Sequence, residues 1–529
     1  MVKIAIYQVM TRLYGNKNKT RRKNGTIEEN GCGKMNDINE AALKSIASMG
    51  FSHVWYTGLI RHASTTSYPF MSHPANANVV KGKAGSPYAI CDYYDIDPDL
   101  AVDVDSRLEE FKKLVKRTHD VGLKMIIDFV PNHVARNYYS DREPQRPMFG
   151  DDDCTDISFL PSNNYYYLVG QSFVSPENSL DLIYNENPAK VSGNDAFTAF
   201  PSKNDWYETV KLNYGIDYRD GSRHFAPVPN TWFKMRDILM YWASMGIDGF
   251  RVDMAEMVPV EFWRWVIGQI NMRYPSLVFI AETYNMDKYR EYIEAGFNLL
   301  YDKVNFYDTV RDVITGKKSA IELTHIWRRT EGLIPNMLYF LENHDEQRLA
   351  SDFFAGNALY GKPAMMLAAL MNKASVMVYF GQELGERGMD EEGFSGLDGR
   401  TTIFDYWGIE SIQQFVGDHT YDEDNLSAEI SQLRAWYRAL LNMMKESKAL
   451  SYGEFYDLMW VNQHINTKAI YAFLRYDNDE RYLIVLNFSN TQADVSIIIP
   501  DDAWAMMGVK GKTVVDVEVY GHDGVVIGL

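Results

Sequence analysis

Four short polar motifs stand where predicted β-strands end, and together they supply carboxylates, an arginine and histidines. They occupy residues 128–133 (DFVPNH), 249–253 (GFRVD), 281–283 (AET) and 342–345 (ENHD). No cysteine nucleophile and no glycine-rich phosphate loop accompanies them. Retaining cleavage of a glycosidic bond needs such a set, with a carboxylate nucleophile and a protonated carboxyl roughly 5–5.5 Å apart. The residue types therefore favour glycoside cleavage over thiol or phosphoryl chemistry.

Each motif also has a purely structural interpretation. A single acid after a strand is commonly a helix cap or part of a loop ion pair, and a lone histidine there is commonly a hydrogen-bonded structural residue. Acids, histidines and an arginine around one cleft are costly to bury unless function requires them. Because all four motifs stand at strand ends, the functional interpretation is favoured.

The elements that carry the motifs alternate between short apolar segments and amphipathic helices. Strands are predicted at residues 4–7, 53–56, 124–128, 249–253, 277–282, 338–340 and 376–380. Repeated strand–helix units imply parallel strands, in either an open doubly wound sheet or a closed barrel. The number of units, near eight, and the missing phosphate loop favour an α/β fold of the (β/α)8 TIM barrel type, in which the polar strand ends converge on one pocket.

Two regions depart from this alternation. Residues 134–210 are rich in Asn, Asp, Tyr, Ser and Pro without a long helix, so we expect a small domain inserted after strand 3. Near the C-terminus the chain is rich in β-like segments, including a predicted hairpin at residues 471–488, and we expect a C-terminal β-sandwich domain. The predicted divisions are 1–133 and 211–450 for the two parts of the barrel, 134–210 for the insert and 451–529 for the sandwich.

Composition indicates which binding partners and which cellular compartment to expect. The chain has 529 residues, with 53 Lys and Arg against 71 Asp and Glu, and a net charge of −18. Nucleic acid and anionic membranes both reward a basic surface, so neither is expected as a partner. No apolar stretch reaches the roughly 18 residues of a membrane span, and the first residues do not form a signal-peptide core. Three cysteines predict reduced thiols, so we expect a cytoplasmic protein unless a signal has been trimmed.

The four motifs, in this order and with an insert after the third strand, resemble the α-amylase family (glycoside hydrolase family 13), including its neopullulanase-like and α-glucosidase-like members. The resemblance implies that Asp253 is the nucleophile, that Glu282 is the general acid and then the general base, and that Asp345 is a third carboxylate holding sugar hydroxyls. The implied function is a retaining α-glycoside hydrolase acting on α-glucans or malto-oligosaccharides, without an organic cofactor.

Four further residues are implied to bind substrate. Arg251 stands two residues before the nucleophile, on the same strand face, and is expected to keep that carboxylate ionised. His133 and His344 are implied to hydrogen-bond sugar hydroxyls, and Tyr88 to stack on the sugar ring, with plain packing as its alternative. Asp128 is expected to orient the arginine rather than to contact sugar.

Other residues give information about the preferred substrate and about a calcium site. Arg348 matches the NHDQPR form of family α-glucosidases, where the arginine helps bind the non-reducing glucose. Asn132 stands where many members bind calcium; the alternative is a hydrogen bond to the adjacent loop. Residues 211–213 (KLN) are similar to the MPKLN motif of neopullulanase-like members. Glu256 and Met257 replace the Lys-His pair of typical α-amylases, which argues against an ordinary starch-liquefying enzyme. Together these hints point to short oligosaccharides or branched glucans.

Several alternatives compete with hydrolysis. A glucanotransferase or a sugar isomerase of the same family shares all the catalytic residues and differs in what accepts the intermediate. A non-catalytic relative typically lacks one or more of the three carboxylates, and all are present here. A metal-dependent barrel hydrolase needs a cluster of His and acidic ligands, which His133 and His344 alone do not supply.

Overall fold

Eight parallel strands close into a barrel in the computed structural model, which describes residues 3–177, 183–388, 394 and 396–529. The strands are β1 (Ala5–Met10), β2 (His53–Thr57), β3 (Lys124–Phe129), β4 (Gly249–Val252), β5 (Val278–Ala281), β6 (Leu299–Tyr301), β7 (Met337–Phe340) and β8 (Ser375–Tyr379). Each strand pairs with the next in chain order, and β8 pairs with β1 to complete the ring. The predicted (β/α)8 barrel is confirmed.

The sixth strand, β6, was missed by the sequence prediction. It contains only three residues, Leu-Leu-Tyr, so no periodicity can appear in it. Its strand character comes from its neighbours, because Leu300 pairs with Ala281 on one side and with Met337 on the other. Tertiary pairing, rather than local pattern, makes this segment a strand.

Helices alternate with the strands of the barrel, and one further helix, Asp501–Met506, lies among the C-terminal strands. They span Thr11–Tyr14, Ile27–Asn30, Glu40–Ser48, Arg107–Asp120, Asn230–Ser244, Val260–Arg273, Tyr289–Ala295, Asp308–Ile314, Thr324–Arg329, Lys362–Leu370, Glu410–Val416, Ala428–Glu446, Lys448–Tyr452 and Asp501–Met506. In Arg107–Asp120 the buried side chains include Leu108, Phe111, Leu114 and Val115, which follow the 3.6-residue period of one helix face. Among the described residues, no helix has both the length and the apolar composition that crossing a bilayer requires.

The chain between β3 and the helix Asn230–Ser244 forms short antiparallel ribbons instead of a long helix. His133–Ala135 pairs with Thr209–Lys211, so both predicted ends of the insert lie in one ribbon. Further ribbons join Tyr167–Leu168 to Ala189–Lys190 and Ile216–Asp217 to Ser222–Arg223. The loop after β2 has a ribbon of its own, Ile60–His62 with Ile90–Ile96. The division of the chain into domains at these residues stays a prediction.

The C-terminal part consists of two antiparallel sheets. Its strands are β9 (Glu454–Asp457), β10 (Ile470–Tyr476), β11 (Arg481–Asn487), β12 (Ala493–Ile498), β13 (Val514–Val519) and β14 (Asp523–Gly528). One sheet has the order β9-β10-β11-β14, and β12 pairs with β13 in the other. The predicted hairpin is confirmed, since Tyr476 at the end of β10 pairs with Arg481 at the start of β11.

Candidate active site

The carboxyl ends of β4 and β5 place two acids side by side. Asp253 is the first residue after β4, and its backbone N–H donates to the carbonyl of Phe129 at the end of β3, at 2.9 Å. Glu282 is the first residue after β5, and its N–H donates to the carbonyl of Val252 at 3.1 Å. The hydrogen-bonding pattern of the barrel therefore continues one residue beyond these strands and fixes the backbone of both acids.

Arg251 on β4 holds these two carboxyls together. Its Nη1 lies 2.8 Å from Oδ1 of Asp253, and its Nη2 lies 2.7 Å from Oε2 of Glu282. The guanidinium is fully buried, and Asp128 Oδ1 stands 3.9 Å from Nη1. Nη1 donates a hydrogen bond to Asp253, whereas Nη2 meets Glu282 as an ion pair without hydrogen-bond geometry, so one planar guanidinium pairs with both acids. Arg251 lies beneath the carboxyls and not in the cavity wall, so it is placed to position them rather than to contact sugar.

Burial and two neighbouring charges set the pKa of Asp253. Burial raises the pKa of Asp253 well above its usual range, and the charge of Glu282 raises this pKa further. The guanidinium of Arg251 lowers the pKa of Asp253, in the direction that the sequence predicted, but it does not offset the other two effects. An isolated aspartate has neither this burial nor a carboxylate neighbour, so the raised pKa of Asp253 comes from the fold.

Asp345 and His344 follow β7 and form a network with Tyr88. Nε2 of His344 lies 3.0 Å from Oδ2 of Asp345 and 2.5 Å from the Tyr88 hydroxyl, and its Nδ1 lies 2.8 Å from Nε2 of Gln8. Burial raises the pKa of Asp345, but His344 and the charge of Arg251 lower it to about 2. This third carboxylate is thus ionised over the working pH range, as an acceptor for hydroxyl groups must be.

A cavity of about 330 Å³ opens above these groups. Its wall includes Lys81, Ser86, Tyr88, His133, Trp206, Glu208, Thr209, Asp253, Met254, Glu282, Tyr284, Asp345, Ile403 and Phe404. All three predicted catalytic carboxylates line this one cavity, together with Tyr88 and His133. Burial and the nearby Lys211 lower the pKa of His133 to about 3, so its ring is neutral. His344, which is 2% exposed, lies behind the wall and supports Tyr88 and Asp345.

Comparison with known proteins identifies the family of this chain. A family model described as "Alpha amylase, catalytic domain" matches residues 20–435, more than three quarters of the chain. The chain belongs to the α-amylase family. The site described above lies within the matched residues.

Individual members of the α-amylase family are similar to this chain at low identity. α-Amylase 3 of Dictyoglomus thermophilum is 23% identical over 432 residues, 77% of this chain and 74% of that one. A maltosyltransferase of Picrophilus torridus, named α-1,4-glucan:maltose-1-phosphate maltosyltransferase, is 22% identical over 88% of this chain and 60% of its own. The crystal structure of the maltogenic α-amylase AmyB of Thermotoga neapolitana superposes with a TM-score of 0.61 at 22% identity, over 99% of this chain and 98% of that one. At that identity the superposition supports the fold alone.

Arg348 does not line the cavity of this protein, whereas the sequence predicted that it helps bind the non-reducing glucose. Its side chain is fully buried, and Nη1 lies 2.9 Å from Oε2 of Glu342 and donates to the carbonyl of Phe380 at 2.8 Å. Its Nε donates to Thr401 at 2.7 Å. These partners join the ends of β7 and β8 behind the site. Arg348 therefore holds the loops together, and it is not among the residues that line the cavity.

The surroundings of Asn132 do not fit a calcium ion. The ammonium of Lys211 donates to Oδ1 of Asn132 at 2.5 Å, and it lies 2.8 Å from Asp195 and 3.3 Å from the carbonyl of Met257. A cation is already present among these oxygens, and calcium needs six to eight of them. Within the described parts of the chain, no group of three or more His, Cys, Asp or Glu side chains could hold a metal. Of the two interpretations of Asn132, the hydrogen-bonded one fits.

Tyr284 and Glu256 support the acid and were missed by the sequence analysis. The Tyr284 hydroxyl donates to Oε1 of Glu282 at 2.5 Å. Oε2 of Glu256 accepts the backbone N–H groups of Tyr284 and Asn285, both at 3.0 Å, and so fixes the loop after β5. A signal was available for Glu256, because it is one of the departures from the typical Lys-His pair. Nothing in the sequence distinguishes Tyr284 from the many other tyrosines.

Proposed function

We propose that this protein is a retaining α-glycoside hydrolase acting on α-glucans or malto-oligosaccharides. The observation that carries the proposal is the fork at Arg251, which holds carboxyl oxygens of Asp253 and Glu282 within 2.8 Å of one guanidinium at the cavity. Two neighbouring carboxyls at one cavity supply the nucleophile and the proton donor that the double-displacement mechanism requires. Membership of the α-amylase family supports the substrate class.

The chemistry takes two steps. Asp253 attacks the anomeric carbon while Glu282 gives its proton to the glycosidic oxygen, so that the bond to the leaving sugar breaks and a covalent glycosyl-enzyme forms. Glu282, now a carboxylate, takes a proton from water, and the water oxygen displaces Asp253 with a second inversion. Asp345 accepts hydrogen bonds from hydroxyls of the same sugar ring, and Tyr88 packs on its face. The product keeps the α configuration.

The configuration of the first product tests this mechanism. With maltoheptaose as substrate, proton NMR in the first minutes is expected to show the α-anomer before mutarotation produces the β-anomer. Early release of the β-anomer would contradict a retaining mechanism. Asp253→Asn is expected to abolish turnover, and Glu282→Gln to lower kcat by about 10²–10⁴-fold. Asp418→Asn is a matched control, because the side chain of Asp418 is 99% exposed and outside the cavity.

Transfer to a sugar acceptor is the second candidate function. It is favoured by the similarity to a protein named a maltosyltransferase over 88% of this chain. Hydrolysis and transfer share the glycosyl-enzyme and differ only in whether water or a sugar hydroxyl displaces Asp253. Mass-resolved chromatography of a maltoheptaose reaction separates the two. Products longer than seven glucosyl units require transfer, whereas exclusively shorter ones indicate hydrolysis.

A further inference from the structure

The cavity wall contains a buried ion pair that the glycosidase mechanism does not use. Nζ of Lys81 lies 3.2 Å from Oε2 of Glu208, and the two residues are 6% and 3% exposed. Both line the cavity that contains the catalytic carboxyls. Removing two charges from water costs several kcal/mol for each ion, and their attraction often fails to offset this cost. An ion pair in this position is therefore a poor stabiliser of the fold and a good candidate for a ligand contact.

The pair has hydrogen-bonding capacity to spare. An ammonium carries three donors and a carboxylate accepts several hydrogen bonds. Oε2 of Glu208, although close to Nζ of Lys81, accepts no hydrogen bond with good geometry from the residues that the structure describes. Adjacent donors and acceptors of this kind match the neighbouring hydroxyl groups of a sugar, each of which both donates and accepts.

The backbone around the pair is held firmly. The loop that carries Lys81 is tied to the loop after β8, because the N–H of Ala84 donates to the carbonyl of Phe404 at 3.0 Å. Gly82 has a φ of +66°, and a Cβ there would stand 2.2 Å from the same carbonyl oxygen. Glu208 directly precedes the strand Thr209–Lys211, which pairs with the strand carrying His133. The pair thus belongs to a fixed wall where three chain segments meet.

This wall faces the sugar that stays on the enzyme. The proton donor Glu282 must face the departing oxygen, and its neighbours Tyr284 and Met254 lie on that side, with hydrogen bonds of 2.5 and 2.8 Å to its carboxyl. Lys81 instead comes from the loop that also carries Tyr88, which packs on the retained ring in the proposed mechanism, and Glu208 precedes the strand that pairs with the strand carrying His133. The cavity, about 330 Å³, is at the low end of the roughly 300–1,000 Å³ usual for ligand pockets.

We propose that Lys81 and Glu208 bind the free 4-hydroxyl and a neighbouring hydroxyl of the non-reducing terminal glucosyl unit, so that the enzyme attacks short α-glucans from that end. The inference rests on the proposed function. In an internal glucosyl unit the 4-oxygen belongs to a glycosidic bond and has no proton to donate to Glu208. A chain that continued past this wall would also have to displace the ion pair.

Two substrates test the inference. One is maltoheptaose with a fluorescent label at its reducing end, and the other is the same compound with its terminal 4- and 6-hydroxyls blocked by an ethylidene group. The wild-type protein is expected to shorten the open substrate by a constant unit and to cleave the blocked one about 10- to 100-fold more slowly, the range for losing a hydrogen bond to a charged group. Cleavage of both at similar rates overturns the inference and leaves the proposed function intact. Cleavage of neither overturns both.

Two variants test whether Lys81 and Glu208 cause the preference for the open substrate. Lys81→Met keeps the apolar stem without the charge, and Glu208→Gln keeps the shape of the side chain. Each is expected to reduce the preference for the open substrate about 10-fold or more, mainly through KM. Lys203→Met is the control, since Lys203 lies in the same insert, is 63% exposed and pairs with Glu177. An unchanged preference in both Lys81→Met and Glu208→Gln, in protein that still melts cooperatively, assigns the selectivity elsewhere and refutes the inference.

Discussion

Replacing Lys211 by Met is expected to destabilise the junction between the insert and the barrel. The ammonium of Lys211 contacts oxygens of Asn132, Asp195 and Met257, which belong to three separate segments of the chain. The Lys211 side chain is 2% exposed, and that of Asp195 is 35% exposed. Methionine preserves the length and apolar packing of the stem but leaves the three oxygens without a cation.

The magnitude follows from burial. Removing one partner of a fully buried pair costs about 3–5 kcal/mol, because the other charge is left uncompensated. Solvent reaches part of Asp195, so we expect a loss of about 2–4 kcal/mol in the free energy of unfolding. The entropy of unfolding is about 2.1 cal/mol/K per residue, so a chain of 529 residues loses roughly 1 °C of Tm for each kcal/mol of lost stability. The expected shift in Tm is therefore about 2–4 °C.

Thermal unfolding with and without a chelator is the assay. Wild-type Tm is expected to be the same in EDTA and in millimolar calcium, because Lys211 already supplies the cation. Lys211→Met is expected to melt about 2–4 °C lower, while Lys203→Met, on an exposed part of the same insert, melts like the wild type. A wild-type Tm that falls in EDTA would refute the assignment of Lys211 as the cation at Asn132. An unchanged Tm in Lys211→Met would refute the energetic argument.

Two further substitutions test the electrostatics of the site. Asp253→Asn is expected to stabilise the fold at neutral pH, and this gain in stability should shrink as pH falls. The reason is that the pKa of Asp253 is higher in the folded state than in the unfolded state, so ionised Asp253 costs stability at higher pH. Melting curves from pH 5 to 8 check this, and a pH-independent gain would contradict it. Arg348→Met is expected to lower the free energy of unfolding by about 3–5 kcal/mol, because Glu342 is left buried without its cation, and to leave KM little changed. Urea unfolding measures the stability, and steady-state kinetics measure KM. A raised KM at unchanged stability would show that Arg348 binds sugar instead.

Local sequence signals predicted much of the fold and the centre of the site. Strand ends at Asp253 and Glu282 could be found because an apolar segment that stops at an acid is a local pattern, and barrel topology brings all such ends to one face. The strand β6 could not be found in this way, because three residues carry no period. The barrel could still be predicted without β6, because the remaining strand–helix units already implied a closed parallel sheet.

The sequence by itself determined which reactive groups the protein has and which strands carry them. Only the tertiary structure decided how its buried charges pair. Lys211 takes the place at Asn132 where calcium was one expectation, Arg348 lies behind the wall with Glu342 rather than in the cavity, and Lys81 meets Glu208 inside the cavity wall. The physical reason is that strand and helix patterns depend on neighbours a few residues apart, whereas a buried charge takes its partner from whichever loop folding brings within about 4 Å.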